Sequence, residues 1–92
     1  MAIEIHIPTA LRQYADQNST FEVGAGEVHA ALNELTTRFP KLRPHLFTED
    51  GKLRNFVNVF LNDENIRHLS GDELKLKDGD SISIVPAVAG GR

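Results

Sequence analysis

The chain has 92 residues, 40% of them hydrophobic and 25% charged, with a formal net charge of −3; this length suits one small hydrophobic core and leaves no room for a second. The absence of cysteine excludes disulfides, thiolate metal sites and cysteine nucleophiles, and the acidic balance argues against a nucleic-acid partner. No apolar run reaches the roughly 18 residues of a membrane span, and the first residues do not have the pattern of a signal peptide. We therefore expect a cytoplasmic protein without a membrane partner.

Two short strands are predicted first. In "IEIHI", residues 3–7, isoleucines alternate with Glu4 and His6, which indicates a half-buried strand that stops at Pro8. "TFEV", residues 20–23, is the second strand. The segment between them includes the turn-forming residues of "YADQNS" but is long for a tight hairpin.

The next segment, "GAGEVHAALNELTTRFP", has a helical period. One face is apolar and the other is polar. The apolar face carries Val28, Ala31, Leu32, Leu35 and Phe39, and the wet face carries His29, Asn33, Glu34 and Arg38. Gly26 precedes the predicted helix and Pro40 ends it, while no Ser, Thr or Asp stands where an N-cap is expected.

The second half of the chain predicts more strands. "KLRPHLFTEDGKLRN" is interpreted as a basic connector, and "FVNVFLND", residues 56–63, as a strand with Val57, Val59 and Leu61 on one face. A turn through "NDEN" leads to a short returning strand at Ile66 and Arg67, and the polar link "GDELKLKDGD" follows. "SISIV", residues 81–85, is the last strand, with Ile82 and Ile84 pointing inward.

This order of elements predicts an α+β fold in which one main helix covers one face of a single mixed sheet. The opposite face of that sheet is then left to solvent. The last strand runs on into "VPAVAGG" and a final Arg92.

The order of elements and this ending resemble the ubiquitin-like sulfur carriers of the MoaD/ThiS family, which share the β-grasp fold. The similarity lies in "IPTALRQYA", "FVNVFLNDENIR" and "LKDGDSISIVPAVAGG", and the wording is most similar to the CysO-like branch that delivers sulfur for cysteine synthesis. The resemblance implies a β-grasp domain over residues 1–88 and a flexible tail at 89–92.

The resemblance also implies a function without a catalytic side chain: the protein is a cosubstrate and not an enzyme. In this family an E1-like adenylyltransferase of the MoeB/ThiF type, using ATP, adenylates the terminal carboxylate, and sulfur then displaces AMP to give a thiocarboxylate. The reacting carboxylate corresponds to Gly91, and Ala89 with Gly90 give the tail its reach. Glycine, which lacks a Cβ, can enter a narrow cleft. No tightly bound cofactor and no metal are expected.

Arg92 departs from the family pattern, because the Gly91 carboxyl is then held in a peptide bond. Either a peptidase removes Arg92, or Arg92 is an artificial addition, or the carrier is inactive in this form. Precursors with short extensions occur among relatives, where a JAMM-type zinc metalloprotease trims them. We interpret Arg92 as a processing site.

A docking patch is predicted on the open face of the sheet. Phe60 and Val85 point away from the helix side by alternation, and an exposed aromatic residue on a sheet suggests a partner surface. Pro86 and Val88 extend this patch toward the tail. The alternative is that Phe60 packs only against its strand neighbours.

Other polar groups are interpreted as structural. The four histidines lack metal-ligand spacing, and the acidic pairs, including "DGD" at 78–80, lie on predicted turns. The cluster of Lys41, Arg43, Lys52 and Arg54 is interpreted as a solvated connector in preference to a nucleic-acid site.

Two other functions and several pathways stay open. A ubiquitin-like modifier would join the same glycine to lysines of other proteins, and a non-reactive adaptor would keep Arg92. For a carrier, the sulfur-accepting biosynthetic enzyme could serve cysteine, molybdopterin, thiamine or methionine synthesis.

Overall fold

The computed structural model describes residues 3–24 and 26–86. Its strands are β1 (Ile3–His6), β2 (Thr20–Val23), β3 (Val57–Leu61), β4 (Glu64–Asn65) and β5 (Ser81–Pro86). Its α-helices are α1 (Val28–Arg38) and the single-turn α2 (Arg43–Leu46). Short 3-10 helices occupy the connections, at Thr9–Tyr14, Pro40–Leu42, Ile66–His68 and Gly71–Leu74.

The strands form one mixed sheet in the order β2-β1-β5-β3-β4. The neighbours β1 and β5 are parallel, and the other three pairs are antiparallel. A parallel pair requires a long crossover connection. Here the connection between β1 and β5 is the segment that contains β2, both α-helices, β3 and β4. This is the α+β, β-grasp arrangement that the sequence predicted.

The core lies between α1 and the inward face of the sheet. Each residue of the predicted apolar helix face is buried, and each residue of the predicted wet face is exposed. The sheet contributes the alternating residues Ile3 and Ile5 from β1, Val57, Val59 and Leu61 from β3, and Ile82 and Ile84 from β5, all of them buried. The predicted periods of both helix and strands are therefore confirmed.

The start of α1 is capped in a way that the sequence did not predict. Glu27 is the N-cap, and its Oε1 accepts a hydrogen bond from the backbone N–H of Ala30 at 3.1 Å. The same region is fixed by tertiary pairing, because Glu27 forms a bridge with Lys75 and the Leu76 N–H donates to the Gly26 carbonyl at 2.9 Å. A longer acidic side chain thus replaces the expected Ser, Thr or Asp.

Residues 41–55 were interpreted as a basic connector, but the first half of this segment also contributes to the core. Leu42, Leu46 and Phe47 are buried in the core, and Phe47 forms a bridge with Leu53. Pro44 falls in the first turn of α2, where proline is tolerated because the N–H it lacks has no partner within the helix. The basic side chains therefore extend from a segment whose apolar residues pack into the core.

The returning strand lies two residues earlier than predicted. β4 is Glu64–Asn65, and Leu61 pairs with Glu64, so the turn is the dipeptide Asn62-Asp63. Asn62 has φ of 56°, a left-handed conformation that asparagine tolerates well. Ile66 and Arg67, predicted as strand, belong to a 3-10 helix instead.

Candidate functional site

The candidate site begins where β5 leaves the sheet. Residues 81–83 pair with β1, and residues 82–86 pair with β3. Beyond residue 83 the strand therefore keeps one neighbour, β3, and it runs toward the tail along that strand. The predicted site residues Val88, Ala89, Gly90, Gly91 and Arg92 lie outside the described residues.

The structure brings Phe60 and Val85 together on the outer face of the sheet. Phe60 lies opposite Ser83, and Val85 lies opposite Asn58, so the two apolar residues are diagonal neighbours across an antiparallel pair. Diagonal positions are within reach of an aromatic side chain. Val85 is 47% exposed and Phe60 is half-buried, and we refer to these two residues as the outer patch.

Pro86 does not extend the outer patch in the predicted way. It pairs with Val57, whose side chain is buried, and by alternation it shares the inward face with Ile82 and Ile84. Pro86 is half-buried at the edge of the core. Its use in partner binding stays a prediction, but its orientation separates it from Phe60 and Val85.

Phe56 is an exposed aromatic residue that the sequence did not assign to the site. In the described part of the chain, Phe56 and Val85 are the exposed large hydrophobic residues, each with 47% of its surface accessible. Phe56 directly precedes β3. The available signal was its alternation with Asn58 and Phe60, which placed it away from the core.

The rest of the outer face is polar. Glu4 and Glu22 lie opposite each other on β1 and β2, and the Nε2 of His6 is 3.2 Å from a carboxylate oxygen of Glu4. His6 in turn pairs in register with Ser83 on β5. A partner that covers this face therefore meets an apolar end at β3 and β5 and an acidic end at β1 and β2.

The "DGD" sequence at the start of β5 is turn chemistry, as predicted. One Asp80 carboxylate oxygen accepts a hydrogen bond from the Lys77 backbone N–H at 2.9 Å, and the other accepts from Asn62 Nδ2 at 3.2 Å. The hydrogen bond from the Lys77 backbone is the main reason why the pKa of Asp80 is lowered. The carboxylate orders the turn that begins the strand.

The acidic pair at 72–73 also has structural partners. Glu73 Oε1 accepts from the Ser70 N–H at 3.0 Å, and an Asp72 carboxylate oxygen is 3.1 Å from Lys75 Nζ. The first contact is half of a capping box, and the second is an exposed ion pair of small energetic weight.

The basic cluster is divided between structural contacts and solvent. Arg43 donates to Thr36 Oγ1 at 3.2 Å and lies over the Phe47 ring, while Arg54 Nε donates to the Pro44 carbonyl at 2.7 Å. Both arginines line an open cleft of about 430 Å³ that also includes Glu49. The cleft therefore presents charges of both signs.

The described residues offer no cluster of ligands for a metal ion. Within residues 3–24 and 26–86, no group of three or more His, Cys, Asp or Glu side chains is arranged to hold one. His45 stacks on Tyr14 with ring centroids 4.1 Å apart. In the same part of the chain, no helix is both long and apolar enough to cross a bilayer.

Comparison with known sequences gives a family match over nearly the whole chain. The model of the ThiS family matches residues 5–91. The sulfur carrier protein CysO of Mycobacterium tuberculosis is 33% identical over 93 residues, which cover 99% of this chain and 100% of that protein. Small archaeal modifier protein 3 of Haloferax volcanii is 32% identical over 96 residues, with 99% and 100% covered.

Comparison with solved structures agrees on the fold. CysO in the Amycolatopsis orientalis BexX/CysO complex superposes with a TM-score of 0.85 at 37% identity. The match covers 98% of this chain and 100% of that one. Insertions or deletions large enough to change the sheet are therefore absent from the described part of the fold.

Proposed function

This chain belongs to the ThiS family, and from that membership we propose that it is a sulfur carrier whose working group is the carboxyl of Gly91. The observation that carries the proposal is the family match over residues 5–91, which includes both glycines of the tail. Full-length similarity to CysO supports the same role. In this proposal partner enzymes bind the folded domain, and the tail carries the reacting group.

The proposed chemistry takes place on the tail, inside partner enzymes. A carboxylate oxygen of Gly91 attacks the α-phosphorus of ATP, and pyrophosphate leaves as the acyl-adenylate forms. A sulfur nucleophile at the oxidation level of sulfide then attacks the acyl carbon, the bond to AMP breaks, and a thiocarboxylate remains. ATP is bound by the activating enzyme, and the carrier itself holds no cofactor.

The carboxyl of Gly91 has to be released before this chemistry. In the full chain it forms the peptide bond to Arg92, and an amide carbonyl is not a nucleophile toward ATP. We assign the release to a peptidase, with a JAMM-type zinc metalloprotease as the candidate class. Cleavage after Gly91 adds water across the bond and frees the acid.

The outer patch is the proposed docking surface for an E1-like adenylyltransferase. Phe60 and Val85 supply accessible apolar area on β5 and its neighbour β3, and a few well-packed residues near the centre of an interface contribute most of its binding energy. The similar CysO of Amycolatopsis orientalis forms a complex with BexX, which supports the idea that carriers of this kind bind a second protein.

Cysteine synthesis is the favoured destination of the sulfur, because relatives that are 33% identical over the full chain are CysO proteins. Molybdopterin, thiamine and methionine synthesis are the alternatives. Incubation of the thiocarboxylate form with the accepting enzyme of each pathway, followed by product detection, would distinguish them. Transfer to the cysteine-forming enzyme alone is the expected result.

The direct test is the intact mass of the protein purified from its own host. We expect a species that lacks Arg92, and within it a fraction in which one oxygen is replaced by sulfur. Gly91→Ala should fold normally yet form thiocarboxylate at a strongly reduced rate, since the added Cβ must enter the same narrow cleft. Recovery of full-length protein only, in cells with an active pathway, would favour the adaptor and contradict the proposal.

A modifier role is the second candidate, favoured by the similarity to small archaeal modifier protein 3. It shares the adenylate and differs in the acceptor, which would be a lysine amine. Peptide mass spectrometry of host proteins reports on it directly: lysines carrying a glycine remnant joined through Gly91 favour the modifier, and thiocarboxylate without such adducts favours the carrier.

A further inference from the structure

We infer that Phe56 is a docking residue for the adenylating enzyme, beyond the outer patch, and that Arg67 is the positioning residue that presents it. The inference rests on the proposed function, because it assumes that an enzyme receives the tail. The hydrogen bonds around Phe56 and its short distance to the end of β5 support it.

One nitrogen of Arg67 holds the backbone on both sides of Phe56. Its Nη2 is 2.9 Å from the carbonyl oxygen of Arg54, 3.3 Å from that of Asn55 and 2.7 Å from that of Val57, so its two N–H groups are shared among three acceptors. A guanidinium hydrogen bond to a backbone carbonyl is charge-assisted and stronger than a neutral one. The segment before β3 is thus fixed from the side by a residue ten positions or more away in sequence.

Arg67 is itself held in place. Its backbone N–H donates to Asn65 Oδ1 at 2.9 Å, and Asn65 Nδ2 donates to Asn58 Oδ1 at 3.3 Å. The neighbouring Ile66 is buried and anchors the 3-10 helix to the core. The backbone of Arg67, from which the guanidinium extends, is therefore held in place by these contacts.

Phe56 stands in a tight turn that this clamp stabilises. The Val57 N–H donates to the Arg54 carbonyl at 3.0 Å, which closes the turn 54–57 around Asn55 and Phe56. In this turn 47% of Phe56 remains accessible. Phe56 therefore adds exposed apolar area beside Val85, and a larger apolar patch is typical of an interaction surface.

Phe56 lies close to the end of the strand from which the tail continues. Val57 pairs with Pro86, so the Cα atoms of Phe56 and Pro86 are within about 9 Å of each other. The five residues that follow Pro86, ending at Gly91, span at most roughly 18 Å when fully extended. The Gly91 carboxyl therefore lies at most about 27 Å from Phe56, so the enzyme that binds this carboxyl at its nucleotide can also contact Phe56.

The adenylating enzyme is the occupant to which the observations point. Its proposed footprint, the outer patch on β3 and β5, adjoins Phe56, because Val85 lies opposite Asn58, two residues from Phe56 and on the same face of the sheet. Beside Phe56 a shallow depression of about 330 Å³ includes Asp50, Lys52 and Arg54 and therefore presents charges of both signs. We expect an apolar side chain of the enzyme against Phe56.

The first experiment compares Phe56→Ser with Phe56→Leu in the Gly91-ended form of the chain. The measurement is ATP-pyrophosphate exchange by the adenylating enzyme of the same cell, as a function of carrier concentration. Phe56→Ser should raise the KM for the carrier about tenfold at unchanged kcat, because truncation of an interface aromatic removes ground-state binding. Phe56→Leu should restore most of the affinity. An unchanged KM in Phe56→Ser overturns the docking role.

The second experiment compares Arg67→Ala with His68→Ala, an exposed neighbour on the same 3-10 helix. Arg67→Ala should raise the KM about threefold to tenfold at a temperature where the variant remains folded, and His68→Ala should leave it unchanged. In the Phe56→Ser background, Arg67→Ala should add little, because the residue it positions is gone. Equal and additive effects in both backgrounds would show that Arg67 acts elsewhere.

Calorimetry of the full chain, with Arg92 in place, binding to the adenylating enzyme separates this inference from the proposed function. Weaker binding of Phe56→Ser than of the wild type supports the docking role regardless of chemistry. If the wild-type Gly91-ended chain is bound but never adenylated, the sulfur-carrier proposal fails while the docking surface stands. If it is adenylated and Phe56→Ser binds equally well, the inference alone fails.

Discussion

At its start β5 is held by β1 and by side chains from the β3–β4 turn, whereas at its exit β3 is the strand that pairs with it. Ser81 pairs with Glu4, and its backbone exchanges hydrogen bonds with Asn62 at 2.7 and 3.1 Å. The last residues, 84–86, pair with β3. Along its length the strand thus passes from pairing with two neighbours to pairing with one.

This contrast indicates where substitutions will be felt. Residues at the start of β5 should act on stability, because they join the turn, β1 and the core. Val85 at the exit should act mainly on partner binding, because its apolar side chain is exposed. Three sets of variants test this division, in decreasing order of effect.

Ile82→Ala and Val85→Ala should differ most. Ile82 is fully buried between two strands, so Ile82→Ala should lower the free energy of unfolding by about 2–5 kcal/mol. Val85 is exposed, so Val85→Ala should change the free energy of unfolding by less than about 0.5 kcal/mol. The same variant should weaken binding to the adenylating enzyme. Urea unfolding of both variants measures the contrast, and comparable losses would contradict it.

Gly79→Ala should destabilise the start of β5 by about 1 kcal/mol, since Gly79 has φ of 90° and an alanine is strained in that conformation. Gly26→Ala is the matched control. Neither position has a heavy atom within 4 Å of an added Cβ, and Gly26 does not have a left-handed φ. Thermal unfolding should therefore separate the two variants, and equal melting temperatures would refute the backbone explanation.

Asp80 should make a small, pH-dependent contribution to the free energy of unfolding. Its pKa is lowered in the folded state, chiefly by the hydrogen bond from the Lys77 backbone, so the ionised form stabilises the fold above the unfolded pKa of about 3.9. That stability is lost as pH falls through the folded pKa. Asp80→Asn should be less stable than wild type at pH 7, and the gap should narrow below about pH 4. A gap that is constant with pH would exclude this origin.

Much of the fold could be predicted because the periods in the sequence are strong. The alternation in β1 and β5 and the helical spacing from Val28 to Phe39 reflect burial on one face, and burial is what selects those residues. The connections were predicted less well. Leu11 and Ala15 are buried in or beside the 3-10 helix Thr9–Tyr14, and a segment so short has no detectable period.

The burial of the segment around Leu42 and Leu46 was not predicted, for a related reason. Two leucines four residues apart are compatible with a helix, but lysine, arginine and proline in and around that spacing suggest an exposed loop. Only the position of the segment beneath α1 and the sheet buries its apolar side. The same limit applies to Asn62-Asp63, where hairpin geometry decided which of four polar residues form the turn.

The candidate site divides in the same way. Alternation alone placed Phe60 and Val85 on the open face of the sheet. Their proximity depends on the β3–β5 register, and the register also turned Pro86 inward opposite Val57. Phe56 was visible as an apolar residue, but the hydrogen bonds that Arg67 makes around it depend on contacts between segments ten or more residues apart.

Sequence alone was sufficient for the class of fold, the sheet faces and the family, because local periodicity and a distinctive final segment survive without any long-range information. The folded molecule was needed to establish which strands are neighbours, which polar groups are satisfied and which apolar residues stay in solvent. These properties follow from the packing of distant segments against one core, so they can be specified only when the whole chain has folded.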